Sequence, residues 1–387
     1  LAAARAEATA RAAPLSTSGA PVETATPAGF DRRRFLIAAA AVGAGAIAVG
    51  TTGRTMIGRR FGATAAMRDE LTIPAPVDPA KPVPAGAELG VPGITPFVTD
   101  NADFYRIDTA LIVPRVDAET WRLRIHGMVD SPLELSLRDL LDRPLIERDV
   151  TLCCVSNEVG GSLVGNARWI GVPLADLLAE VGVHPEADQI VSRSVDGFTA
   201  GTPTTAATDG RDAMLAVAMN GEPLPFIHGF PVRMLVPGLY GYVSATKWLA
   251  ELELATFDSF DPYWVQRGWA PEAPIKTASR IDVPQAGTQL TSGTPAIIAG
   301  VAWAQQRGVS QVQVRVDDGP WRQAELATQD TIDTWRQWKI DWPTPEPGSH
   351  RLQVRATDGE GQVQPEAGAP PFPDGATGWH TVTVDVV

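Results

Sequence analysis

The chain has 387 residues, and its 45 Asp and Glu against 32 Lys and Arg give a formal charge of −13. That balance argues against nucleic acid or an anionic membrane surface as a partner, and the length suffices for two or three domains with cores of their own. Its 2 cysteines, Cys153 and Cys154, are adjacent, so there is no disulfide framework, and neither CxxCH nor paired CxxC is present to attach a c-type haem or build a zinc ribbon.

Residues 1–30 are rich in Ala, Thr, Ser and Pro and too poor in large apolar side chains to form a core, so they are predicted to be disordered. In residues 31–52, Arg32 and Arg33 precede Phe35, Leu36 and an Ala- and Gly-rich apolar run. This reads as a twin-arginine export signal or a membrane anchor, which puts the rest of the chain outside the cytoplasm or at the membrane. Residues 53–94 include TIPAPVDPAKPVPAGAELGVPGI, with proline enough for a stiff extended linker.

From Trp121 the run WRLRIHGMV alternates and ends in a glycine turn, and LELSLRDLLDRPLIERDVTLCCV reads as strand, short helix and strand. VPLADLLAEVGV has helical spacing. DAMLAVAMNGEPLPFIHGFPVRMLVPG reads as a helix or strand followed by turns at Asn-Gly and proline. Few long helices are expected. Beyond residue 275 the alternating runs AIIAGVAWA, SQVQVRVDDGPW, WRQWKIDW and HRLQVRATDGEG, separated by turns such as Asp-Gly, predict an all-β sandwich.

The two cysteines end the strand-like run TLCCV, where neighbouring side chains face opposite ways, so one thiol can enter the core while the other faces a cleft. By residue type a free cysteine is a small buried hydrophobe. As a thiolate it is also a soft, electron-donating metal ligand.

TLCCVSNEVGGSLVGNARWIGVPLADLL, MNGEPLPFIHGFPVRMLVPGLYGYVSATKWLAELEL and YWVQRGW, with a sandwich following, resemble the sulfite-oxidase family of molybdopterin-dependent oxidoreductases. The resemblance covers residues 95–387. It implies an α+β fold, with a mixed α/β molybdopterin domain over 95–274 and an immunoglobulin-like dimerisation domain over 275–387. It implies molybdenum–molybdopterin as cofactor, with Cys154 as the metal ligand, Asn157 three residues behind it, and Cys153 a packed neighbour. Tyr105 and Arg106 in FYRIDT would run along the pterin. His228 and Arg233 in HGFPVR, and Ala245, Thr246 and Lys247 in ATKW, would contact the cofactor, Lys247 as a point charge for its phosphate. Asp196, in the turn SVDGF, is a further candidate. His126, His184, His350 and His380 fall outside these motifs and read as structural or exposed.

Members that oxidise sulfite gather arginines around the open side of the metal, because a dianion must be desolvated and held by bidentate donors. This chain departs from that pattern: Glu158, Val159 and Gly160 follow the metal cysteine, Ile107 takes the early position with Arg106 one place off, and Trp269 replaces a tyrosine. Val159, Arg267 and Trp269 are the substrate-pocket candidates. The implied reaction is a two-electron oxygen-atom transfer on a small oxyanion, an uncharged sulfur compound or an S-oxide. With no haem, flavin or iron–sulfur motif in the chain, electrons would pass through a separate cytochrome or membrane redox partner, and the second domain implies a homodimer. The alternatives are an exported S-oxide reductase acting on methionine sulfoxide and, from another class, a cofactor-free binding module on the same scaffold.

Overall fold

The computed structural model describes residue 62 and residues 64–387, so the disordered and export-signal readings of 1–52 lie outside the described residues. No helix among the described residues is long and apolar enough to cross a membrane. The elements run β1 (Arg122–Gly127), β2 (Leu133–Ser136), α1 (Leu137–Leu141), β3 (Ile146–Cys153), β4 (Val164–Pro173), α2 (Leu174–Val181), β5 (Gln189–Ser194) and β6 (Thr199–Pro203). They continue with α3 (Thr204–Thr208), β7 (Met214–Met219), β8 (Glu222–Pro223), β9 (Arg233–Leu235), α4 (Gly241–Ser244) and β10 (Leu249–Ala255). The remainder is all strand: β11 (Ala278–Val283), β12 (Gln289–Leu290), β13 (Ala296–Trp303), β14 (Val309–Val316), β15 (Arg322–Gln323), β16 (Glu325–Leu326), β17 (Arg336–Trp342), β18 (Gly348–Asp358) and β19 (His380–Val386).

One sheet orders β3-β4-β7-β8, with β9 added on β7, and a second orders β2-β1-β10-β5-β6. In β1 the inward residues Leu123 and Ile125 alternate with the exposed Arg122 and Arg124, whereas every residue of β7, MLAVAM, is buried. A run apolar on both faces does not tell strand from helix by period alone. Pairing with β4 on one side and β8 and β9 on the other makes β7 a strand. The helical layer is thinner than the mixed α/β expectation: α2, the longest of the labelled helices, has 8 residues and stops at Gly182, whose φ of 67° is left-handed.

The C-terminal part is two facing sheets, β11-β13-β17-β16 and β12-β19-β18-β14-β15. Between them Val312, Val314, Leu352, Val354, Val384 and the fully buried Trp338 form a separate core. The first core reaches across the junction to include Val301, Trp303 and Trp335. There the Trp335 indole donates to the Phe97 carbonyl (2.8 Å), and the Gln305 amide donates to the carbonyl of Thr151 (3.0 Å).

The proline-rich segment is a strap over the body rather than a spacer. Asp78 pairs with Ile146, Thr328 N–H donates to the Gly86 carbonyl at 2.8 Å, and Ala87, Val91 and Phe97 are buried. Proline holds the segment extended without ladder hydrogen bonds, so apolar burial and side-chain amides can fix it instead. The buried Gln337 ties down the segment's second half: its Oε1 accepts from Leu89 N–H and its Nε2 donates to the Thr95 carbonyl, both at 2.7 Å. Gln337→Leu strands two backbone groups. Urea unfolding should show a loss of about 2–4 kcal/mol, and limited proteolysis should cut first within residues 71–98.

Candidate functional site

A cleft of about 880 Å³, counting its solvent-open part, lies where the β3 terminus, the 104–109 segment, the 194–198 turn, α4 and the 264–269 segment converge. Cys154 follows the last residue of β3 and lines this cleft, 8% exposed. Its Sγ accepts from Ser156 N–H at 3.4 Å, and burial pushes its thiol up, partly offset by that bond. Cys153 points the other way into a separate hollow, 2% exposed, and burial raises its pKa well above the ordinary thiol value. The strand alternation thus separates the two sulfurs as expected.

Beneath the cleft a turn over Phe226–His228 leads into β9 and delivers His228 and Arg233. Arg233 is 5% exposed and has no carboxylate partner among the described residues: its Nη1 and Nη2 donate to the carbonyls of His228 (3.2 Å) and Ala245 (3.3 Å), and its Nε–H is buried without an acceptor there. Burial draws the guanidinium down to about 10, so it stays charged at neutral pH. His228, 2% exposed, has its pKa lowered to about 4, foremost by burial and then by the Arg233, Lys247 and Arg106 cations, against the raising bond to Asn101. The imidazole is therefore neutral, with Nε2–H assigned as donor to the Asn101 carbonyl at 2.8 Å.

Lys247 and Asp108 form a pair across the cleft wall, Nζ to Oδ2 2.8 Å, with side chains 10% and 7% exposed. Asp108 Oδ2 also accepts from Arg106 Nε at 2.8 Å. Burial pushes the Asp108 carboxyl up, but the bonds from Arg106 and Lys247 outweigh it and hold the pKa below the usual range. Burial likewise brings Lys247 down to about 8 despite its partner, so both groups are charged at neutral pH. Tyr105 stacks on Phe104 with centroids 5.2 Å apart, and its pKa is raised well above normal, by burial first and then by the neighbouring cysteines.

Tyr105, Cys154, Asp196, His228, Arg233, Ala245, Lys247 and Trp269 all line the cleft. The other candidates do not. Asn157 braces the loop behind Cys154, its Oδ1 accepting from Leu163 N–H at 2.8 Å, and it faces the Cys153 hollow. Thr246 is fully buried, its hydroxyl 2.6 Å from Ser192 Oγ. Arg106 turns its guanidinium to Asp108 and leaves the wall to Ile107 and Asp108. Val159 belongs to the Cys153 hollow, because Gly160 seats the loop on the His380 ring, where an added Cβ would meet ring atoms at 2.2 Å. Arg267 lies over the Tyr263 ring at 3.5 Å and donates to the Tyr263 carbonyl, outside the cleft. The four remaining histidines are structural: His126 meets Glu251, His184 meets Asp130, His350 meets Asp317, and His380 Nδ1 accepts from Ile281 N–H. Sequence reasoning missed Asp108, Phe198, Tyr242 and Trp264 as lining residues. FYRIDT and YWVQRGW contain Asp108 and Trp264, but only a partner 139 residues away reveals the role of Asp108.

A family profile described as "Oxidoreductase molybdopterin binding domain" matches residues 110–264, and one described as "Mo-co oxidoreductase dimerisation domain" matches 271–386. The chain thus carries a molybdopterin-binding oxidoreductase domain followed by a dimerisation domain. Within that class the chain belongs to the sulfite-oxidase family. It is 33% identical to the mitochondrial sulfite oxidase of Rattus norvegicus, over 75% of this chain and 62% of that protein, so it spans less than two thirds of that relative's length. It is 34% identical to the uncharacterized oxidoreductase YuiH of Bacillus subtilis (strain 168), over 40% of this chain and 74% of YuiH. The crystal structure of the sulfane dehydrogenase SoxCD from Paracoccus pantotrophus is similar with a TM-score of 0.60 at 25% identity, covering 70% of this chain and 77% of that one.

Since an unfolded histidine titrates near 6.5, the folded state binds fewer protons than the unfolded state between about pH 4 and 6.5. The stability from neutral His228 is fully present above that window and lost as pH falls through it, by about 3 kcal/mol. His380, lowered to about 4 by burial and Arg280, adds in the same direction. Tm measured across this window should fall with pH, and His228→Gln should flatten the decline.

Proposed function

We propose that the chain binds molybdenum–molybdopterin in this cleft and catalyses two-electron oxygen-atom transfer on a small sulfur compound. The observation that carries this reading is the coincidence of the Cys154 thiol with the Arg233 guanidinium, buried and lacking a carboxylate partner. A soft ligand beside an unneutralised cation fits a sulfur-ligated metal carried by an anionic organic group. An apolar binding module would gain nothing from burying that charge.

In this reading Cys154 ligates the metal, Arg233 and Lys247 meet the anionic and polar edge of the pterin, and neutral His228 offers Nδ1 as an acceptor to it. Ala245 contributes through the carbonyl that orients Arg233. When bound, the group supplies the site at which an oxygen atom and two electrons are exchanged. The aromatic wall excludes bulk water and strengthens the charge interactions inside it. The sulfur chemistry is supported by the likeness to the rat sulfite oxidase and the Paracoccus sulfane dehydrogenase. The C-terminal sandwich is read as an immunoglobulin-like dimerisation module, consistent with its family profile, and the dimer as a homodimer. A separate one-electron carrier would complete the cycle, and the sequence around Arg32 and Arg33 supports an exported or membrane-anchored enzyme with its catalytic domain outside the cytoplasm.

Protein made in a molybdopterin-competent host should contain stoichiometric molybdenum by elemental analysis. Cys154→Ser should abolish dye-linked turnover with little change in circular dichroism. Well-folded protein free of molybdenum from such a host would overturn the reading.

A further inference from the structure

Leu111 is fully exposed and Ile112 is 79% exposed, the greatest exposures of large apolar side chains among the described residues. They do not stand alone. Ile107, half-exposed, precedes them on the same segment, and the half-exposed Val195 joins them from the neighbouring turn, where Asp196 Oδ2 accepts from Thr109 Oγ1 at 3.4 Å. Ile107, Ser194 and Asp196 line the cleft, so this apolar cluster forms part of the rim around its mouth. Singly exposed aliphatic side chains are ordinary, but a cluster of them marks a contact surface.

Two observations assign that contact to lipid. Residues 64–70 are helical, and Arg68 among them is fastened to the 222–224 stretch, its Nε and Nη2 donating to the carbonyls of Leu224 (2.9 Å) and Pro223 (2.6 Å). Two residues further on, the Phe226 ring carries the Arg115 guanidinium at 4.1 Å, and Arg115 closely follows Leu111 and Ile112 in the chain. The helix nearest the N-terminal apolar run and the exposed tip are thus held by one short stretch. The run over residues 35–50 ends about a dozen residues before that helix, a reach of at most about 45 Å. It is also shorter than the roughly 20 residues that span a bilayer, and a weak anchor gains from a second membrane contact. The cluster itself is branched and aliphatic, whereas protein interfaces centre on Trp, Tyr and Arg. With a formal charge of −13 the contact is apolar rather than electrostatic. We infer that Leu111 and Ile112 enter the lipid surface beside the anchor, with Ile107 and Val195 at headgroup level, so that the cleft opens toward the bilayer. This rests on reading residues 31–52 as a membrane anchor and adds an orientation to it.

The test places the full chain in phosphatidylcholine vesicles with Leu111→Cys, Ile112→Cys or, as a reference outside the cluster, Val77→Cys labelled with nitrobenzoxadiazole. Cys153 and Cys154, 2% and 8% exposed, are shielded from the label, and the wild type gives their background. Emission at 111 and 112 should rise about threefold or more and be quenched by doxyl lipid, while that at 77 changes by less than about 1.5-fold. Added phosphatidylserine should leave the rise unchanged. Vesicle-bound chain whose labels at 111 and 112 stay in water, or respond no more than the label at 77, overturns the orientation alone. Labels shielded from water but not quenched by doxyl lipid give the cluster to a second copy or another protein, and overturn it too. Chain that does not float with the vesicles overturns the anchor reading and this inference with it.

Discussion

The site is organised around a guanidinium that the protein buries and does not neutralise. A carboxylate facing Arg233 would have been the ordinary answer to the desolvation of the charge, which amounts to several kcal/mol. Instead β9, the turn before it and the loop after α4 converge to offer two carbonyl dipoles, and the Trp169 ring stands 5.0 Å from its Cζ. The consequences spread outward. His228 is kept neutral partly by this cation, and Asp108, a carboxylate of the cleft wall, is held by Lys247 and Arg106 rather than by Arg233. The arrangement leaves a positive centre at depth and a compensated rim.

The second organising fact is geometric. A strand places successive side chains on opposite faces, and β3 ends so that one sulfur enters each of two spaces. Cys153 is thereby kept from the cleft chemistry without any distance along the chain to separate it from Cys154. The loop that follows needs Asn157 to cap it and Gly160 to press against His380, so residues near Cys154 in sequence support it from behind.

The parts that could be read from the amino acids were those with a local signature. Alternation in WRLRIHGMV and SQVQVRVDD gave β1 and β14, helical spacing in LADLLAEV gave α2, and the resemblance of TLCCVSNE and HGFPVR drew Cys154, His228 and Arg233 to one place. Misplaced residues were those whose motif position is right but whose direction depends on contacts distant in sequence. Arg106 and Asp108 are two residues apart, and which of them faces the cleft is decided by Lys247. Arg267 was placed near the substrate by its neighbour Trp269, yet its stacking on Tyr263 carries it outside. Proline content described the 72–94 segment as an extended linker, whereas it turns at Pro84–Ala87 and Val91–Ile94 as it crosses the body. Composition held no sign that Gln337, some 248 residues from Leu89, would tie it down.

That tie also orders events in time. The strap lies before the first sheet in the chain, whereas its amide clamp comes from β17 and another of its partners, Thr328, from just beyond β16. During synthesis the first half of the strap can grip Leu145 and Ile146 early, whereas the half from Gly86 to Thr95 waits for Thr328 and Gln337 until nearly the whole chain has been made. The closure of that second half records that both parts of the body have folded and met.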